Sequence, residues 1–392
     1  MHVVRQAQRR GGGVGAGVLG RSLLRGLSAT VTLIVALSSP AVGQRPAALP
    51  NSVGRRIDSV VAAFMPAHHV PGLSLAIGLD QHLVWSKGYG LADLENSIPV
   101  TTAAMFRTAS IGKPMTATAI MQLWQEGKLD LDAPVQTYCP AFPRKRWPVT
   151  SRQLLAHRSG IRDKTPEEEV NYRHYDTIDA ALAIFASDSL LFEPGSAFLY
   201  TSHGYDVLGC VIEGASGMAY LDYMTRRIFT PAGMRHTRLD DPREIIPHRV
   251  RGFALDGRGG LRNSVHDDMS NRIPAGGFVS TPEDLVRFGE AELSGALVAD
   301  SSRRLMWQVQ KAPGDTARRD EGYGLGWALS DWYGVQEVSH GGGTPQVCAL
   351  LYLLPAKGFV VEIMMNLEAV ADRGDLAGDL AKVVLGPKAP HR

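Results

Sequence analysis

The segment Ser110-Ile111-Gly112-Lys113 places a hydroxyl and an amine three residues apart. Three residues is close to one helical turn, so both side chains share a helix face. A serine hydroxyl is a poor nucleophile until a neighbouring base takes its proton. A lysine amine keeps its own proton at neutral pH unless desolvation or nearby positive charge lowers its pKa and makes it a base. The flanking residues set the pair at a helix start. Pro114 suits a first turn, Met115, Thr118, Ile120, Met121, Leu123 and Trp124 form an apolar helical face, and Gly127 supplies the stop. The hydroxyl then sits where backbone N–H groups and the helix dipole favour developing negative charge. A lone Ser-x-x-Lys reads more readily as a capping serine followed by a surface lysine, so later residues must decide.

Two later stations bear on the choice. Tyr200-Thr201-Ser202 closes a turn-rich stretch and leads into an apolar helix through Tyr205, Val207, Leu208, Cys210, Val211 and Ile212. A tyrosine at such a junction can turn its phenol into a cleft. Its unperturbed pKa is about 10, so a neighbouring Lys113 ammonium is what would make it a base. The plain alternative is a packed ring with a bonded hydroxyl. His340-Gly341-Gly342-Gly343 lies between the strand-like runs Val335 to Ser339 and Val347 to Leu354. Glycines in a strand permit close approach of a ligand or another backbone. An edge strand of this kind can offer an N–H to a developing oxyanion, and His340 can meet a substrate carboxylate or carbonyl. The plain alternative here is a glycine turn with a surface histidine.

Taken together, these residues resemble the serine β-lactamase and penicillin-binding-protein superfamily. The likeness runs from about residue 52 onward. It is supported by Lys87-Gly88-Tyr89-Gly90, Leu154-Leu155-Ala156-His157-Arg158-Ser159-Gly160-Ile161, Ala275-Gly276-Gly277-Phe278 and Tyr323-Gly324-Leu325-Gly326-Trp327. Within the superfamily the chain is similar to the class C-like branch, including its mitochondrial-type members and their bacterial relatives. The resemblance implies that Ser110 is acylated, that Lys113 and Tyr200 exchange its proton, and that the N–H groups of Ser110 and Gly343 form the oxyanion hole. It implies that His340, Gly341, Gly342 and Ser202 line the substrate site. Two positions depart from the pattern: Ser202 stands where many members have an Asn that binds the acyl side chain's amide, and His340 stands where strong β-lactamases have Lys. No counterpart of the Glu-centred deacylation loop of class A β-lactamases is found.

Composition bounds the rest. Hydrophobic residues at 44% and charged residues at 20% are ordinary for a soluble globular chain. Residues 1–43 hold five Arg, no Lys and no acidic residue, an apolar stretch from about Ala29 to Leu37, and Ala41-Val42-Gly43 before Gln44. This reads as a signal peptide, with a mitochondrial transit peptide as the alternative. The apolar stretch is short for a membrane span, so no stable membrane anchor is expected. Without those five Arg the balance is 36 basic against 39 acidic residues, a net of −3 in place of +2. The basic pI thus belongs to the targeting segment, and no nucleic-acid partner is expected. Cys139, Cys210 and Cys348 match no metal or redox motif. Cys210 and Cys348 read as small core residues, with one disulfide left open. No metal and no cofactor is expected, and His68-His69 reads as a loop.

The organisation expected is a signal peptide (1–43), a short tail (44–51) and one hydrolase domain (52–388). Strand-like runs pair early (Leu73 to Gly78, Leu83 to Gly88) and late (Val347 to Leu354, Phe359 to Asn366), with a helix near Ala369 to Leu385. Thr150 with Gln153 marks a capping box and Thr281-Pro282 a helix start. That both hairpins share one sheet is implied by the resemblance. The fold expected is α/β (α+β): an antiparallel sheet flanked by helices, interrupted by a mainly helical region, with the site in the cleft between. The function expected is a secreted or periplasmic serine hydrolase acting on a small-molecule or peptide substrate with an amide or ester bond. An esterase of the same fold and a non-catalytic penicillin- or peptide-binding scaffold are the alternatives. The joint presence of Ser110, Lys113 and Tyr200 argues against the scaffold.

Overall fold

The structure, a computed structural model, describes residues 49–311 and 321–386. The segment read as targeting, 1–43, lies outside the described residues.

Eight strands form one sheet: β1 (Gly72–Leu79), β2 (His82–Asp93), β3 (Ile98–Pro99), β4 (Gly322–Tyr323), β5 (Ala328–Trp332), β6 (Val335–Thr344), β7 (Val347–Leu354) and β8 (Phe359–Met365). Their spatial order is β3-β2-β1-β8-β7-β6-β5-β4, antiparallel throughout. The pairing of β1 with β8 joins the first hairpin to the last, with Leu73 opposite Met365 and Leu79 opposite Phe359. The β1–β2 turn is tight because Asp80 and Gln81 both take positive φ, 50° and 67°. That is the geometry that matches the right-handed twist of the flanking strands.

The central strands read as nearly unbroken apolar runs because both faces are covered. On one face Leu73, Leu75, Ile77, Val361 and Ile363 pack with Ile57 and Val61 of α1 (Asn51–Ala67) and Leu376 and Leu380 of the C-terminal helix. That helix begins at Arg373, not near Ala369, because Ala369 and Asp372 take left-handed backbone conformations. On the other face Ala76, Ala349, Leu351, Val360 and Met364 pack with α2 (Gly112–Gln125) and α4 (Pro282–Ser294). Thr281 caps α4 by accepting from the Asp284 N–H, and Thr150 with Gln153 forms a reciprocal capping box.

The region between β3 and β4 holds α2, α3 (His203–Ser216), α4, shorter helices, and long irregular connections. Helix α2 is buried on every side from Gly112 to Leu123. Its polar positions are therefore matched internally: Thr116 Oγ1 donates to Pro274 O (2.7 Å) and Gln122 Nε2 to Leu297 O (2.9 Å). An amphipathic reading gives one apolar face; the tertiary fold wraps the helix between sheet and helical region. Cys139 and Cys210 form a disulfide that ties α3 to the distant loop that precedes the helix Ser151–Leu155, while Cys348 is free and buried. Among the described residues no helix is long and apolar enough to cross a membrane, and His68-His69 lies in the loop after α1.

Candidate active site

Ser110 sits in a single 3-10 turn, Ala109–Ile111, between a small sheet and α2. In that sheet Phe106 pairs with Ser280 and Arg107 with Val279. The Thr108 N–H donates to Phe278 O (2.8 Å), anchoring the chain just before the turn. Ala109 holds a positive φ of 45°, a conformation that costs energy in a residue with a Cβ. Gly276 packs behind it at φ 155°, where a Cβ would lie 2.1 Å from Ala109 O.

Lys113 lies one turn on, with its side chain fully buried. Its Nζ has three partners: Ser110 Oγ at 2.9 Å, Ser202 Oγ at 3.2 Å and Ala275 O at 3.2 Å. Burial pushes the Lys113 ammonium down to about 8, against the pull of Asp206 and Asp163. All three oxygens can accept from Nζ; once the amine has lost its proton, its two hydrogens can serve Ser202 and the Ala275 carbonyl while its lone pair accepts the Ser110 hydroxyl proton.

Tyr200, Thr201 and Ser202 are held at the start of α3 by the stretch 157–163. The Thr201 N–H donates to His157 Nδ1 (3.1 Å), Thr201 Oγ1 to Arg162 O (2.7 Å), and the Ser202 N–H to Asp163 Oδ1 (2.8 Å). Lys113 Nζ lies 4.9 Å from the Tyr200 ring centroid. Burial raises the Tyr200 phenol well above its usual value, with the Ser110 hydroxyl opposing. The phenol is therefore a proton-bearing group. Burial outweighs the charges around the phenol.

The glycine run is strand, not turn: β6 runs unbroken through Thr344. β5 pairs only with Val335 to Ser339, so His340 to Thr344 form a local edge paired to β7 alone. Gly342 presses on the nucleophile's segment, since a Cβ there would lie 2.6 Å from Thr108 O. Gly341 lies against Arg373 instead. His340 is buried, with Nδ1 2.8 Å from Gly341 O and Nε2 2.8 Å from the Tyr323 hydroxyl. Burial, with Lys113 nearby, pushes the ring down to about 3, so it is neutral. The assignment that fits has Nδ1–H donating to the carbonyl and Nε2 accepting from Tyr323. Both nitrogens are occupied, which leaves His340 as a wall of the site and not as a charge presented to a substrate.

A narrow cleft with only about 10 Å³ of enclosed space opens beside Ser110, lined by Ser110, Ser202, Gly343, Lys164, Arg272 and Thr344 among others. Ser110, Lys113, Tyr200, Ser202 and the His340 to Gly343 strand thus come together from three distant parts of the chain. Sequence reading missed Lys164, Arg272, Thr344 and the Ala275 carbonyl. Each lies in or near a stretch that carried the resemblance: Lys164 comes three residues after Ile161, Arg272 three before Ala275-Gly276-Gly277-Phe278, which contains Ala275 itself, and Thr344 follows Gly343. That adjacency was the available signal. Among the described residues no group of three or more His, Cys, Asp or Glu is placed to hold a metal.

Comparison with known proteins bears on the family and the fold. Residues 57–385 match the Beta-lactamase family. The human mitochondrial serine beta-lactamase-like protein LACTB is 29% identical over 405 residues, covering 76% of this chain and 74% of that protein. Among solved structures, the octameric penicillin-binding protein homologue from Pyrococcus abyssi superposes with a TM-score of 0.75 at 26% identity, covering 85% of this chain and 77% of that one. The D-amino acid amidase from Ochrobactrum anthropi SV3 gives a TM-score of 0.74 at 25% identity, covering 86% and 100%. With the match spanning sheet, helical region and all three stations, the chain belongs to the Beta-lactamase family and has the fold of its serine hydrolases.

Proposed function

We propose that this chain hydrolyses an amide or ester through an acyl-enzyme on Ser110. The observation that carries the proposal is the buried Lys113 Nζ, 2.9 Å from Ser110 Oγ. Lys113 takes the hydroxyl proton as the oxygen attacks the substrate carbonyl. The N–H groups of Ser110 and Gly343 receive the oxyanion. Tyr200, holding its proton, passes one to the departing amine or alkoxide, and Lys113 returns a proton to the phenol. Water then attacks the ester of Ser110 by the same route in reverse.

Peptide or ester turnover is expected to exceed β-lactam turnover. Ser202 has its hydroxyl engaged by Lys113 and its N–H by Asp163. It offers no free amide to a β-lactam side chain, and a site discriminates through the groups it can pair. The relative from Ochrobactrum anthropi is a D-amino acid amidase, which favours the amide side of this reading. Export is proposed as well: residues 1–43 act as the targeting segment, and the Cys139–Cys210 bond suits an oxidising compartment. A mitochondrial destination is the alternative, given the mitochondrial relative.

Treatment with a fluorophosphonate, followed by mass spectrometry of the peptides, is expected to place the adduct on Ser110. Labelling of another serine, or undiminished labelling of Ser110→Ala, removes the assignment.

A further inference from the structure

A second opening is lined by Met105, which precedes the strand Phe106–Arg107, by residues 235–238 and by residues 246–248. It holds about 550 Å³ and shares no lining residue with the cleft at Ser110. That volume lies in the range of small-molecule sites, which join an apolar floor to a few placed polar groups. The floor here is Ala103, Met105, Ile246 and Pro247. Met105 and Ile246 are themselves buried, and they pack with Val279 as a small separate core. The preceding residue, Ile245, is 96% exposed, so the loop that makes one wall also presents uncovered apolar surface.

Backbone bonds fix the walls, so the opening is preformed. The Met105 N–H donates to His248 O (2.9 Å) and the Val250 N–H to Met105 O (3.1 Å). On the other segment the N–H groups of His236 and Thr237 both donate to Asp284 Oδ2, at 2.6 and 2.9 Å. Asp284 Oδ1 in turn accepts from Arg287 Nη1 at 2.7 Å.

The charged and ring-nitrogen side chains of the lining are Arg235, His236, Arg238 and His248, with no Asp or Glu. Arg238 is answered by Glu244, and His236 lies 3.7 Å from Asp284. Arg235 is exposed, and among the described residues no carboxylate lies within ion-pair distance of it. An apolar floor with one uncommitted guanidinium at its rim fits a ligand with an apolar body and a single anionic head. A neutral apolar ligand leaves the guanidinium unused, and a polyanion finds only one cation free to meet it.

We propose that this opening binds an amphipathic monoanion, a short acyl chain ended by a carboxylate, with the head on Arg235 and the body on Met105 and Ile246. The site is independent of the acyl-enzyme reading above, and its test needs no turnover.

Calorimetric titration of the protein with octanoate, hexanoate and octanamide tests it. Octanoate is expected to bind with a Kd on the order of 0.1–1 mM, the range for a ligand of about ten heavy atoms. Hexanoate is expected to bind about tenfold more weakly, because two buried methylenes are lost. Octanamide is expected to bind about tenfold more weakly as well, because it gives the guanidinium no charge-assisted contact. Arg235→Gln is expected to bring octanoate down to the octanamide value and to leave octanamide unchanged. Ala103→Trp, which fills the floor, is expected to remove binding of both. Arg235 and Ala103 are both exposed, so neither variant threatens the fold. Lys164→Met, in the cleft at Ser110, is expected to change nothing, which separates the two sites. The site is overturned by equal affinity for octanoate and octanamide, by the absence of saturable octanoate binding, by octanoate binding that survives both Arg235→Gln and Ala103→Trp, or by its loss in Lys164→Met.

Discussion

At the scale of single residues, Lys113 sets the chemistry through what surrounds it. Burial favours the neutral form of its amine and brings its pKa down to about 8. Activity therefore depends on the loss of its proton. For a neutral ester, kcat/KM is expected to rise with pH through a midpoint near 8, the value to which burial lowers this group. Lys113→Ala is expected to lose on the order of 10² or more in kcat, and stopped assays from pH 5 to 10 read both effects. A wild-type profile flat between pH 6 and 9 would contradict the role. Tyr200 gives a separate outcome, because its phenol keeps its proton. Amide hydrolysis needs protonation of a poor leaving group, whereas a p-nitrophenyl ester does not. Tyr200→Phe is thus expected to cost about 10²-fold on an amide and far less on the activated ester. Equal losses on both would return Tyr200 to the acylation step.

At the scale of elements, the site depends on how firmly α3 and β6 are held against the nucleophile's turn. The disulfide fastens Cys210 of α3 to Cys139, 71 residues away in sequence. Closing a loop of that length is worth about 4 kcal/mol in the chain-entropy model, and removal of such bonds typically costs about 2–5 kcal/mol. Cys139→Ala/Cys210→Ala is expected to lower unfolding free energy by a few kcal/mol, as read by urea denaturation, and a reductant should reproduce the loss in the parent protein. Unchanged stability in both cases would mean that the two sulfurs are not bonded. For β6 the decisive feature is its bare edge from His340 to Thr344. A continued pairing with β5 would cover the edge on which Gly343 is proposed to offer its N–H to the oxyanion.

At the scale of the whole molecule, the inner layer between sheet and helical region carries buried acids that tie stability to pH. Glu292 of α4 is fully buried, and burial raises it to about 7. Thr118 Oγ1 lies 2.6 Å from its Oε1 and 3.0 Å from Pro114 O. One hydroxyl hydrogen cannot serve both acceptors, so a protonated Glu292 donating to Thr118 satisfies the set. A folded value above the unfolded 4.5 means the contribution is fully present below about pH 4.5 and lost as pH rises through about 7. Glu292→Gln, which supplies its own donor, is expected to gain on the order of 1 kcal/mol at pH 8 relative to the parent and little at pH 4.5. Thermal unfolding at the two pH values checks this, and an equal effect at both would refute the linkage. Glu362, wholly buried on β8 with its carboxyl raised by burial, acts in the same direction.

Local chemistry is what the sequence by itself determined. Helix caps at Thr150 and Thr281, the strand runs, and the Ser110–Lys113 spacing depend on residues a few positions apart, so their physics is contained in short windows. The family pattern extended this to the sheet, and the pairing of β1 with β8 agrees. Only the tertiary structure decided the electrical state of each group. Burial is a property of everything packed around a side chain. It lowers Lys113 into a useful range, keeps the proton on Tyr200 and neutralises His340, and none of this is written in their own segments. The same holds for Cys139 with Cys210 and for Lys164, Arg272 and Thr344. These are ordinary residues until long-range packing sets them side by side, and their meaning lies in the distances that packing creates.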